Sequence, residues 1–159
     1  HGVSGGAAYA DHCIVRLGLE DRISPKHITL FLPEDIDREK QCYVDKGFRS
    51  PGSTANYYMK LFYQTTGING VREILELEKL GATLDTSVKG FKQRNTKVAQ
   101  LLTPTDNAAV LAFTFGSLGA GMTLEYPPQT TAVDAGLKDG GTADTWNKCV
   151  CRKFHCCLK

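Results

Sequence analysis

Lys138-Asp139-Gly140-Gly141-Thr142-Ala143-Asp144-Thr145-Trp146 decides how this chain is read, because a related stretch, Val3-Ser4-Gly5-Gly6-Ala7-Ala8-Tyr9-Ala10-Asp11, stands near its start. Each has a small polar residue, two glycines, and then a helical pattern that opens with small residues. A glycine pair lets the backbone pass where a Cβ would clash. The helix behind it presents unpaired N–H groups and the positive end of its dipole. Together these features make a site for phosphate or another anion. The residues expected to bind are Ser4, Gly5, Gly6 and Ala7 at one turn, and Asp139, Gly140, Gly141 and Thr142 at the other. Thr142 reads as an N-cap, a phosphate ligand, or both. Asp11 and Asp144 fall in the first turns of the two helices, as dipole partners or as acceptors for a ribose hydroxyl.

The segments between the turns alternate between strand and helix patterns. Residues 7–19 read as a helix with Ala10, Cys13, Ile14 and Leu17 on its inner stripe. His27–Pro33 is a short apolar run, as in a strand covered on both faces. Residues 35–44 have room for a short helix. Ser50-Pro51-Gly52-Ser53 marks a turn, with Ser53 or Thr54 capping a helix that carries Tyr57, Tyr58, Leu61 and Phe62 on one side. Its tyrosines, Tyr63 included, read as core or as a dimer face ahead of a base-stacking platform. A further helix, 71–80, turns Val71, Ile74 and Leu75 inward and Glu73, Glu76, Glu78 and Lys79 outward. Residues 88–93 read as an exposed connection. A polar loop follows, with Arg94, Asn95 and Lys97, and feeds a short helix. Arg94 is the leading cation for a ligand, because a guanidinium forks onto phosphate; Asn95 stands beside it.

Ala108–Phe115 is the second buried strand, and Gly116 marks its carboxyl end and joins the expected binding residues. Residues 117–137 read as a long loop or insertion. After the second glycine turn a helix with Ala143, Trp146 and Val150 inward leads to a last strand, 154–158. Such alternation predicts an α/β fold with a mainly parallel sheet and helices on both faces, a single domain over 1–159. Both turns and Gly116 are then expected at the carboxyl edge of the strands, where ligands bind.

Composition narrows the function. The 159 residues are one domain's worth of chain, and the net charge of +2 gives no support to nucleic-acid binding. No apolar run approaches the roughly 18 residues that span a bilayer. The six cysteines include a C-x-C-x4-C-C cluster at 149–157. That spacing does not suit zinc, so no metal and no cofactor is expected. The thiols read as reduced, small apolar side chains in a cytoplasmic protein. His12 and His155 read as structural.

The Ser4–Asp11 segment, the Phe113-Thr114-Phe115-Gly116 strand end and the Asp139–Thr145 segment resemble the SLOG superfamily, Rossmann-like domains that include DprA and the LOG or "lysine-decarboxylase-like" proteins. The resemblance implies a Rossmann-like three-layer fold and a nucleotide or nucleotide-derived ligand held by the two turns. It also implies a strand and a glycine turn ahead of the first segment, with His1-Gly2-Val3 as a strand's tail. LOG enzymes cleave the N-glycosidic bond of a nucleoside 5′-monophosphate and are similar to one another in Pro-Gly-Gly-x-Gly-Thr-x-x-Glu. In this chain the glutamate's place falls on Thr145 or on Asn147, depending on register, and Asp139 stands for the proline. The hydrolase reading therefore leans on Asp144, Asp139 or Glu125 as carboxylate, with Arg94 assisting. The leading reading is a plain nucleotide binder, as a monomer or a homodimer, and the other alternative is an interaction domain in which the glycines only shape turns.

Overall fold

The computed structural model describes residues 1–102, 108–115, 121–138 and 140–158. The chain divides into two compact units, His1–Arg94 and Asn95–Lys159. The described strands and helices make an α/β protein whose first sheet is wholly parallel.

In the first unit, β1 (Gly2–Ser4) leads through a 3-10 turn (Tyr9–His12) into α1 (Cys13–Leu19) and β2 (Ile28–Phe31). A small hairpin follows, β3 (Ile36–Asp37) and β4 (Cys42–Tyr43), then α2 (Pro51–Thr66), α3 (Gly70–Lys79), β5 (Thr83–Asp85) and the start of α4 (Phe91–Leu101). The parallel sheet has the order β1-β2-β5, with Gly2 opposite Ile28 and Leu30 opposite Leu84. Central β2 buries Ile28, Leu30 and Phe31, the pattern of a strand covered on both faces. Val15, Met59, Val71, Ile74 and Leu77 complete the core around it.

Four expectations change here. The entry to α1 is 3-10, with about three residues per turn rather than 3.6, and this rotates the buried face. His12, Val15 and Gly18 point inward, while Cys13 and Leu17 are exposed. Gly18 is required: a Cβ there would stand 2.5 Å from Leu77 Cδ1 and 2.7 Å from Ile28 Cδ1. Residues 35–44 form the β3–β4 hairpin instead of a helix, because the Asp37 carboxylate accepts the amides of Glu39 and Lys40 and folds the chain back. On α2 the cap is Ser50, whose Oγ accepts from the Ser53 amide at 3.2 Å. Its buried side is Gly52, Ala55, Met59 and Phe62, and Tyr57, Tyr58 and Tyr63 face outward. On α3, Glu73 turns to the protein: its carboxylate accepts from His12 Nε2 at 2.8 Å and Arg16 Nη1 at 2.7 Å.

In the second unit, β6 (Ala109–Phe115) is parallel to β8 (Arg152–Leu158), and β7 (Thr123–Tyr126) pairs antiparallel with β8 on its other side. β7 puts a strand within the stretch expected to be loop. α5 (Gly141–Lys148) buries Ala143 and Trp146, as expected, but Val150 lies beyond the helix end and is exposed. Trp146 is enclosed, and its Nε1 donates to the Thr130 carbonyl at 2.9 Å. β6 is covered on one face only: Val110 and Ala112 are buried but Leu111 is exposed. Buried His155 donates from Nδ1 to the Ala135 carbonyl at 3.1 Å, and its Nε2 bonds Thr114 Oγ1. All six cysteines are free thiols. Burial, then neighbouring Cys151, pushes the Cys149 thiol up to about 12, so it packs as a small apolar group. No helix among the described residues is long and apolar enough to cross a membrane.

Candidate functional site

The first glycine turn is built at the carboxyl end of β1. Gly6 adopts φ +61°, which allows the reversal into the 3-10 turn, and its amide donates to Ser4 Oγ at 3.2 Å. The Ser4 hydroxyl in turn donates to the Asp11 carbonyl at 3.2 Å. Two distant side chains grip the turn's carbonyls. Arg94 Nη1 donates to Gly5 O at 3.1 Å, and the hydroxyl of Tyr43, delivered by β4, donates to Gly6 O at 3.3 Å. Gly5 is a glycine because a Cβ would sit 2.5 Å from the Arg94 Cζ.

The charges at this turn are withdrawn from water. Burial raises the Asp11 carboxyl above the usual aspartate range, opposed by the Arg94 guanidinium and by a hydrogen bond from the Ala7 amide. Burial likewise works against the Arg94 charge, which Asp11 supports. Burial raises the Tyr43 hydroxyl far above its ordinary range, so it stays a neutral donor. Ser4, Gly5, Gly6, Ala7, Asp11 and Arg94 are thus brought together. Arg94, however, sits on α4 and is buried, not on an exposed loop.

Beside this turn lies a pocket of about 210 Å³. Gly6, Ala7, Ala8, Tyr9, Pro33, Tyr43, Ala55, Tyr58, Met59, Phe91 and Arg94 line it. Its wall is apolar and aromatic apart from one fixed positive charge. The Arg94 guanidinium lies 5.4 Å from the centre of the Phe91 ring. Pro33 leads into an ion cluster in which buried Glu34 meets Lys46 at 2.9 Å and Lys89 at 3.0 Å. Burial pushes Glu34 up, but hydrogen bonds from Lys46, the Asp35 amide and Lys89 outweigh it and hold the carboxyl below its usual range.

No family model matches the chain, and no solved structure matches it. It is similar to the uncharacterized protein R261 of Acanthamoeba polyphaga mimivirus, at 32% identity over 151 residues. That match takes in 92% of this chain but 64% of the viral protein's length.

The second turn, in the second unit, is a different object. Gly140, at φ +141°, is the N-cap of α5, so Thr142 is not the cap, and both Gly141 and Thr142 are exposed. Asn95 Nδ2 donates to the Gly141 carbonyl at 3.3 Å and to Asp144 Oδ2 at 3.0 Å. Lys148 Nζ meets the same oxygen at 2.8 Å. Asn95, Gly140, Gly141 and Asp144 therefore come together, with the Asp144 carboxylate engaged by two donors. Glu125, the loop carboxylate, is exposed and paired with Arg152 at 2.9 Å. Asp139 and Gly116 lie outside the described residues. Among those described, no group of three or more His, Cys, Asp or Glu is placed to hold a metal ion.

Of the pocket's aromatic members, the sequence offers Tyr58 as a base-stacking candidate, behind a core or dimer role, and does not single out Tyr9, Tyr43 or Phe91. Tyr43 enters through a hairpin that the sequence pattern hides. Tyr9 stands inside the quoted glycine stretch, and its place one turn past a glycine pair was the signal available.

Proposed function

We propose that the chain binds a nucleotide or nucleotide-derived ligand, in the pocket beside the Ser4–Ala7 turn of the first unit. One observation carries the reading: a glycine turn at the carboxyl end of a parallel strand forms part of an apolar, aromatic pocket with a buried guanidinium, Arg94, in its wall. That combination suits a flat ring joined to a negative charge. A β1-turn-helix-β2 unit, extended in parallel by β5, supports assigning the chain to the Rossmann-like, SLOG-type folds. The position beyond the strand ends is where ligands of such sheets lie.

The turn's amides are not the main phosphate cradle in this proposal. Those of Gly6 and Ala7 already serve Ser4 Oγ and Asp11. The anionic part of the ligand is assigned instead to the Arg94 charge. The hydrolase reading is weaker, because the Asp144 carboxylate is held by Asn95 and Lys148 and Glu125 is paired with Arg152.

A thermal-shift series with nucleoside mono- and diphosphates, ADP-ribose and inorganic phosphate tests the proposal. Nucleotides are expected to raise Tm and to be recovered intact by chromatography. Free base in the eluate would make the chain a glycosidic hydrolase, and no shift with any nucleotide would leave the interaction-domain reading.

A further inference from the structure

Tyr9 occupies a backbone position that glycine would fill more comfortably. Its φ is +63°, the left-handed region, in which a bulky side chain is strained. Such strain persists where the surrounding structure imposes it, and it clusters at ligand clamps. Here the strained residue is part of the pocket lining. Tyr9 lines the cavity and is half exposed, and its ring meets Phe62 edge-on at 5.3 Å. Tyr58 is also part of the lining and half exposed, and is braced edge-on by Tyr57 at 5.3 Å. Two tyrosines, each with its ring against another aromatic ring, therefore share the cavity lining with Ala7, Ala8, Ala55 and Met59.

The cavity's size limits what enters. Pockets for drug-sized ligands run to about 300–1,000 Å³; this one holds about 210 Å³. It has room for a ring system, and its mostly apolar and aromatic lining suits a base better than phosphates. Every base has a π-face, and stacking on an aromatic side chain tolerates base identity.

We propose that the pocket takes the base of the nucleotide rather than its phosphates, and that Tyr9, held at positive φ, is the residue that stacks on that base. This rests on the nucleotide-binding reading above and fixes which end of the ligand the pocket reads. The phosphoribosyl part extends outward past the glycine turn, and Arg94 supplies the charge that holds it near the cavity.

The test is calorimetric titration of the whole chain with the four nucleoside 5′-monophosphates, ribose 5-phosphate and inorganic phosphate. The wild type, Tyr9→Phe and Tyr9→Gly are compared, with Tm measured for each. At least one monophosphate is expected to bind about tenfold or more tighter than ribose 5-phosphate, the effect of one base–aromatic stack. Tyr9→Phe is expected to keep that advantage and Tyr9→Gly to lose it. Tyr9→Gly is also expected to melt no lower than the wild type, because glycine suits the left-handed backbone. A Tyr9→Gly chain that keeps the advantage overturns the stacking role and leaves nucleotide binding standing. So does ribose 5-phosphate binding as tightly as every monophosphate. A Tyr9→Gly chain with full affinity and a lower Tm identifies the ring as packing only. Failure of all six probes to bind the wild type overturns both this inference and the nucleotide reading.

Discussion

A Cβ added at Gly5 would stand 2.5 Å from the Arg94 Cζ, whereas at Gly141 the nearest atom is Asn95 Nδ2 at 3.7 Å. Both residues belong to a glycine pair that opens a helical segment, yet only the first is packed around. Its carbonyls are taken by Arg94 and Tyr43, its neighbouring carboxyl is desolvated, and a pocket opens beside it. The second turn has an exposed Gly141 and Thr142, and a carboxylate whose partner Lys148 is partly in water. Similar sequence yields a lined cavity at the first turn, and at the second the described residues form an exposed helix start. The difference lies in what the rest of each unit brings to the turn.

The largest effect expected from this contrast is at the neighbouring residues Arg94 and Asn95. Arg94→Met removes the charge opposite Asp11 and the donor to Gly5, and is expected to cost about 3 kcal/mol in chemical denaturation. Asn95→Ala leaves Asp144 still paired with Lys148 and is expected to cost about 1 kcal/mol. Equal costs would erase the distinction. Next come the glycines themselves. Gly5→Ala is expected to destabilise by about 2 kcal/mol through overpacking and to weaken nucleotide binding. Gly141→Ala, whose Cβ would meet Asn95 Nδ2 at ordinary van der Waals distance, is expected to be neutral or to stabilise by up to about 1 kcal/mol.

A pH series sharpens the first unit's side of the comparison. Burial, more than the opposing Glu73 carboxylate, keeps His12 below the ordinary histidine range. Its Nδ1 has no hydrogen-bond partner among the described residues. Neutral His12 therefore favours the folded state above the unfolded-state value of about 6.5. As pH falls through and below that value the unfolded chain gains a proton that the folded chain resists, and stability declines. Tm is expected to drop between about pH 7.5 and pH 5.5, and to drop less in His12→Gln. Parallel pH profiles would sink this account. The smallest effect is at the second turn. Asp144→Asn is expected to change stability by about 0.5 kcal/mol or less, because the Lys148 pair is partly solvated, and to leave nucleotide affinity unchanged.

Much of the fold was legible because burial writes itself into composition. β2 and β6 stand out as short apolar runs, and α3 as an apolar stripe among glutamates. What escaped was set by local hydrogen bonding or by brevity. The Asp37 carboxylate makes a hairpin of a charged stretch, and β5 is three residues long. The 3-10 entry to α1 turns His12 inward where an α-helical period points to Cys13. At the site, the glycine turn and Arg94 were readable as types. The grip of Tyr43 was not, because nothing in a strand's spacing tells which turn its hydroxyl will reach.

The shape of the first turn is dictated from far away in the chain: Tyr43 is 37 residues from Gly6, and Arg94 is 89 residues from Gly5. A nine-residue peptide copying Val3–Asp11 lacks both anchors and should sample many conformations. Contacts of such high sequence separation form only after long loops close. The turn's geometry therefore depends on the fold of the whole unit, and transplanting the motif to another scaffold requires carrying the tyrosine hairpin and the arginine helix with it.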